Sequence, residues 1–272
     1  MTSRDDTTRT PGNYQTIEVG YDGRVAWIAL NRPTRLNVIN SLMVTELGEA
    51  LDRVERDDIQ VVVLTGTGTA FCAGADLADA RGTDGELTAL LPFVERTQDL
   101  LIRIRELPMP VIAAVNGVAM GGGLELALAA DIVYAAEGAK IADAHANIGI
   151  IPGAGGSTVL PRRIGLGLAS YLLYTGATLR SEDLCRAGLI VAVHPRDELA
   201  RQVATVANRI AEKSALSLRV VKELIRKGAA AESETDALRL ELKALRTHVA
   251  SHDMAEGIQA FLDGRSPQFT GR

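Results

Sequence analysis

Short β-branched runs alternate along this chain with longer amphipathic stretches, and glycine clusters mark the joins. Ile17 to Val19 and Val25 to Leu30 read as two arms of a hairpin around Tyr21-Asp22-Gly23. Asn40 or Ser41 caps a predicted helix to about Arg56, with Leu42, Val44, Leu47, Leu51 and Val54 on one face. Val61 to Thr65 is an apolar strand pattern, and a glycine-spotted loop follows from Gly66 to Leu77. Arg81 to Leu87 is polar, holds two glycines and is expected to be mobile. Leu90 to Leu107 reads as a helix ended by Pro108 and Pro110. Val111 to Val115 reads as a buried strand, and Gly121 to Gly123 lead from it into a helix that closes near Asp131. Ile132 to Ala135 is another strand, and the turn Ile151 to Gly156 opens another helix. Strand, glycine turn and helix thus recur at roughly 40- to 50-residue spacing, which predicts stacked repeating units. Beyond about Leu199 the texture changes to amphipathic helices: Leu199 to Ala211, Leu216 to Lys227, Thr235 to Val249 and Asp253 to Leu262. Such helices need a surface, either the first part of the chain or a neighbouring copy.

The 272 residues suffice for one large domain, or one domain with an appendage. A formal net charge of -5 gives no reason to expect nucleic acid or an anionic membrane as partner. Cys72 and Cys185 match no metal or redox spacing and read as reduced thiols, which suits a cytoplasmic protein. No apolar run reaches the roughly 20 residues of a membrane span. Met1 to Gly12 does not read as a secretory signal and is expected to be disordered.

The triple glycine is the first candidate for chemistry. It strips side chains from a helix start, where unpaired N–H groups favour negative charge. Glu125 lies in the first turn of that helix. A backbone anion site beside one acid suits a reaction in which an oxyanion forms and a proton moves. A nucleotide is not indicated. Leu126 stands where the dinucleotide fingerprint needs its third glycine, and Thr158 does so after Gly153. Gly66-Thr-Gly68 lacks the Gly-Lys-Ser/Thr of a phosphate-binding loop. Phe71 to Leu77, a second small-residue loop, reads alone as a turn with Asp76 as a cap. Cys72 reads as a small buried thiol, since no base partner is apparent. A third loop, Asp143-Ala-His145-Ala-Asn147, precedes Ile150. His145 is either an acid–base group or a loop histidine with a structural hydrogen bond. His194, His248 and His252 show no metal spacing.

Together these pieces carry a resemblance. Leu30-Asn31-Arg32-Pro33 with Leu36-Asn37, Phe71 to Leu77, Asn116-Gly117 through Asp131, Ile151 to Gly156, Gly188-Leu189-Ile190, Glu256-Gly257 and Ala260-Phe261 follow one another as in the enoyl-CoA hydratase/isomerase (crotonase) superfamily. The chain resembles that superfamily along nearly its full length. The resemblance implies an α/β spiral of β-β-α repeats over residues 14–198, after a disordered tail at 1–13. It also implies a helical region at 199–272 that builds a trimer or a dimer of trimers. The substrate it implies is an acyl-CoA, with coenzyme A belonging to the substrate and no separate cofactor or metal. The N–H groups of Ala75 and Gly122 then grip the thioester oxygen, and Glu125 matches the first of two glutamates that hydratases place around a water. The second glutamate falls on His145, the main departure from the hydratase pattern. Arg32 and Arg35 fall where the family contacts adenine and phosphate, although a plain surface arginine is an equal reading. Leu36, Ala73, Asp76, Leu77, Gly121, Pro152, Gly153 and a neighbouring subunit's Phe261 complete the implied substrate site. Hydration of an α,β-unsaturated acyl-CoA is the expected reaction, with His145 protonating the α-carbon. Isomerisation, hydrolysis and acyl-CoA binding without catalysis are the rivals.

Overall fold

Two sheets set the frame of the molecule in the computed structural model, which describes residues 12–79 and 87–272. Most of the expected tail and of the expected mobile loop therefore lies outside the described residues. The hairpin is β1 (Ile17–Asp22) and β2 (Val25–Leu30). Asn40 resolves the cap of α1 (Ser41–Arg56), its side chain accepting from the Met43 N–H at 2.9 Å. Met43, Leu47, Ala50 and Val54 form the buried stripe of α1. Leu42 is exposed because it sits one position off that stripe.

Three units of paired strands and a helix follow. The first is β3 (Val61–Gly66), β4 (Ala70–Cys72) and α2 (Leu90–Glu106). The second is β5 (Val111–Val115), β6 (Val118–Met120) and α3 (Gly122–Ala129). The third is β7 (Ile132–Ala136), β8 (Lys140–Ala142) and α4 (Gly156–Ile164). Their first strands begin at 61, 111 and 132, so the repeat is less regular than the glycine spacing suggests. The first unit has both a longer join, from Cys72 to Leu90 against Met120 to Gly122 in the second, and a longer helix, 17 residues in α2 against 8 in α3. Then come α5 (Leu166–Thr175), β9 (Leu179–Arg180), α6 (Ser181–Arg186), β10 (Ala192–His194) and α7 (Arg196–Ala211). The chain ends in α8 (Ala215–Gly228), α9 (Glu234–His248) and α10 (His252–Asp263).

The first strand of each unit joins a six-stranded sheet of order β1-β2-β3-β5-β7-β10, parallel except for the hairpin. The second strands join a small sheet of order β4-β6-β8-β9, in which β4, β6 and β8 run parallel. Burial on both faces explains the unbroken apolar runs of β3 and β5. One face meets α1, α2 and α3 in the main core, and α7 covers the other through Leu199, Val203 and Ala207. By contrast α8 and α9 bury none of their residues, and Ile225, Leu238 and Leu242 stand exposed. Lys222 of α8 ties this layer to the core, 2.8 Å from Asp131 and donating to the Met109 carbonyl at 2.9 Å. Among the described residues no helix is long and apolar enough to cross a membrane.

Candidate active site

Parallel strands deliver their following loops to one edge of a sheet, where α/β proteins bind ligands. Here β4, β6 and β8 bring Ala73 to Ala75, Gly121 to Gly122 and Asp143 to His145 side by side. Each glycine of the triplet answers a different demand. Gly121 turns at φ 51°, a left-handed value that lets β6 enter α3. A Cβ on Gly123 would lie 2.0 Å from the Cys72 carbonyl oxygen, so only glycine lets α3 approach β4. A Cβ on Gly122 would meet nothing closer than 3.7 Å, and that nearest atom is the Ala75 nitrogen. Bareness at 122 is therefore not a packing demand. It leaves open space between Gly122 and the Ala75 nitrogen, and both residues line one cavity. Ile39 fixes Ala75 from the far side, its N–H donating to Gly74 O and its carbonyl accepting from Asp76 N. Among the described residues neither Ala75 N–H nor Gly122 N–H has a protein acceptor.

Glu125 is only 3 % exposed. Its Oε1 accepts from the N–H groups of Ala154 at 2.8 Å and Gly156 at 3.0 Å, so the glycine turn before α4 holds this carboxylate. The other oxygen, Oε2, lies 4.0 Å from His145 Nε2. Behind the imidazole, Asp143 Oδ1 bonds His145 Nδ1 at 2.9 Å. Asp143 is fully buried, and its second oxygen has no partner among the described residues. Ala144 joins the two residues at φ 62°, an unusual left-handed conformation for alanine that folds both side chains together. Burial pushes the His145 pKa down, but the Asp143 bond and charge, with the Glu125 charge, prevail and hold it above the ordinary 6.5. The site thus opposes a held carboxylate to an imidazole biased toward its cation. Asn147, in the same loop, points away from His145 and donates to the Gly176 carbonyl at 3.1 Å.

These groups open onto a cavity of about 300 Å³ whose wall is largely apolar, including Leu77, Leu90, Phe93, Met120, Ile148 and Ile151. Ala73, Gly121 and Gly153 line it too. Thr97, the one wall hydroxyl among the described residues, is spent on the Phe93 carbonyl at 2.8 Å. Asp76 is not a helix cap: its buried carboxylate pairs with Arg32 at 3.0 Å and Arg35 at 3.4 Å. Arg32 also donates to Val38 O at 2.7 Å and is committed inward, whereas Arg35 is 59 % exposed at its side chain. Leu36 is exposed beside them and its carbonyl accepts from Ala73 N at 3.0 Å. Pro152 packs under the glycine turn, close to Gly156. Phe261 on α10 is 84 % exposed and lies outside this cavity. Cys72 is buried and its thiol is pushed up to about 12 by burial, too high for a nucleophile. His194 stacks on Tyr134, His248 meets Ser217, and His252 meets Thr270.

Comparison with known proteins agrees with this geometry. The family model described as enoyl-CoA hydratase/isomerase matches residues 20–272. A probable enoyl-CoA hydratase of Mycobacterium tuberculosis is 36 % identical over 95 % of this chain and 99 % of its own. The 1,2-epoxyphenylacetyl-CoA isomerase of Escherichia coli is 42 % identical over 91 % of this chain and 95 % of its own. A crystal structure of an enoyl-CoA hydratase from Bacillus anthracis superposes with a TM-score of 0.90 and 35 % identity, covering 95 % of this chain and all of the other. On the fold, the motifs and these matches, the chain belongs to the enoyl-CoA hydratase/isomerase (crotonase) family of enzymes.

Proposed function

We propose that this enzyme adds water across the double bond of an α,β-unsaturated acyl-CoA with an apolar acyl group. The observation that carries the reading is the 4.0 Å gap between Glu125 Oε2 and His145 Nε2, which one water spans with two ordinary hydrogen bonds of about 2.8 Å. In this reaction Glu125 takes a proton from the water as its oxygen bonds the β-carbon. Charge moves to the thioester oxygen, where the N–H groups of Ala75 and Gly122 stabilise it at about 3 kcal/mol per donor. His145, held protonated by Asp143, gives its Nε2 proton to the α-carbon. Proton return from Glu125 to His145 restores the site, so one water is consumed and nothing else changes.

Arg32, Arg35, Leu36, Ala73, Asp76, Leu77, Gly121, Pro152 and Gly153 surround the coenzyme and acyl path in this reading. Phe261 completes it from a neighbouring copy. The exposed apolar faces of α8, α9 and α10 support a trimer or a dimer of trimers, which light scattering at micromolar concentration tests. Crotonyl-CoA and longer enoyl-CoAs should be hydrated by the wild type and lost to Glu125→Gln by a factor on the order of 10³. An inactive wild type, or an unaffected Glu125→Gln, refutes the hydratase reading. An isomerase among the relatives supports isomerisation of an acyl-CoA as the second reading. Mass identification of products separates them, since hydration adds one water and isomerisation adds nothing.

A further inference from the structure

Beneath the turn that holds Glu125 lies a guanidinium that the mechanism above does not use. Arg105 extends from the last turn of α2, and its Nη2 is buried with no hydrogen-bond acceptor among the described residues. That nitrogen sits 2.6 Å from where a Cβ on Gly155 would be. Gly155, at φ 134°, is the residue between the two amides that grip Glu125 Oε1. Any side chain at 155 would strike the guanidinium, so the turn rests directly on it. Two charged groups act on Arg105: Arg163 of α4 and Glu125 of α3. Arg163 is itself spent on the carbonyls of Ala130 at 2.6 Å and Asp131 at 3.2 Å, at the far end of α3. The Arg105 side chain is half-buried, and burial and the Arg163 charge push its pKa below the ordinary value, with the Glu125 carboxylate acting against them. Glu125 in turn faces His145, backed by Asp143, on its open side.

We infer that Arg105 is a positioning residue for Glu125: its cation props the Gly153–Gly156 turn and complements the carboxylate from behind the two amide donors. A guanidinium nitrogen buried without an acceptor is costly, so the nearby carboxylate and the cation stabilise each other and the loop stays closed on Glu125. Nothing in Arg105 reaches the cavity, so it touches neither substrate nor water. The assignment rests on Glu125 being the base of the proposed reaction.

The test uses full-length Arg105→Met, Arg105→Lys, Glu125→Gln and the Arg105→Met/Glu125→Gln double variant. With crotonyl-CoA, Arg105→Met should lower kcat about tenfold, the factor that ~1.4 kcal/mol of lost transition-state stabilisation produces, while KM stays within about twofold. Arg105→Lys, which keeps the charge, should recover most of that loss. Urea midpoints give a second readout that needs no activity. Arg105→Met should lower the midpoint of the wild type by more than it lowers that of Glu125→Gln, because the partner charge is already gone. A kcat of Arg105→Met equal to wild type, or strictly additive midpoints, overturns the inference. If the wild type hydrates no enoyl-CoA, the reaction reading fails alone, and the midpoints still decide for or against Arg105.

Discussion

Asp143→Asn should separate the charge of the dyad from its shape. Among the described residues the buried Asp143 carboxylate bonds one partner, His145 Nδ1 at 2.9 Å, and Asn fills the same space. Either end of the amide favours the imidazolium less than the carboxylate does. A hydrogen bond to a charged group contributes roughly 1.5–3 kcal/mol, and His145 is shielded enough, at 15 % side-chain exposure, to feel most of it. Loss of that energy falls on the protonated form alone. At alkaline pH, kcat of the variant should therefore fall on the order of ten- to hundredfold below wild type. At acid pH, where His145 is protonated in both proteins, the two rates should converge.

The assay is a pH profile of kcat, followed by loss of the ultraviolet absorbance of the conjugated enoyl thioester. Stability must move with the same sign. His145 has a folded pKa above its ordinary 6.5, so the dyad contributes fully below that pH and its contribution fades as pH rises through the folded value. The stability gap between wild type and Asp143→Asn in urea should thus be widest near pH 6 and shrink toward pH 9. Direct titration by NMR is simple with four histidines, because His145→Gln identifies the relevant signal by its absence. An alkaline limb unchanged in Asp143→Asn, or a loss equal at every pH, refutes the claim that Asp143 holds His145 as the acid.

Adjacent glycines should fail differently. Gly122→Ala should fold normally yet lose about a hundredfold in kcat/KM, its methyl crowding the oxyanion position. Gly123→Ala, 2.0 Å from Cys72 O, should cost roughly 3 kcal/mol of stability; equal melting temperatures for the two variants would contradict this. Ala144→Gly should relieve a left-handed φ of 62° and raise stability by up to about 1 kcal/mol while lowering kcat, read by urea midpoint and turnover. Lys222→Met should leave Asp131 with the Val111 N–H but no cation and lower stability by about 1–2 kcal/mol in urea. His145→Glu should not improve hydration unless Asp143 is neutralised as well, since it sets two carboxylates against each other; a more active single variant would sink that expectation.

What the sequence disclosed, and what it hid, follows the length scale of each signal. The apolar run Val111 to Val115 and the stripe of α1 span enough residues to show a period; the strand forms as expected, and the stripe forms with Leu42 left outside it. Three-residue strands show none. β4, β6 and β8 leave no such trace in the sequence, although their parallel alignment sets Ala75, Gly122 and His145 side by side. Those residues were reached instead through motif resemblance, which carries position without geometry. Arg105 sits among the ordinary polar positions of an amphipathic helix, and only its clash with position 155 reveals it.

The Asp143–His145 pair shows why the departure at 145 cannot be judged one residue at a time. An imidazole in place of a glutamate brings the wrong charge for a second carboxylate and the right one for an acid. Burial alone would strip its proton, since desolvation works against the cation. Asp143, two residues upstream and wholly buried, reverses that balance. It reaches the ring only because Ala144 takes a conformation that alanine resists. Glu125 meanwhile is held by two amides over a buried guanidinium. Opposite environments thus give the two groups opposite tasks: the carboxylate receives a proton and the imidazolium supplies one. In the proposed hydration, that division lets Glu125 take the proton of the water whose oxygen bonds the β-carbon, while His145 protonates the α-carbon, without either group changing place.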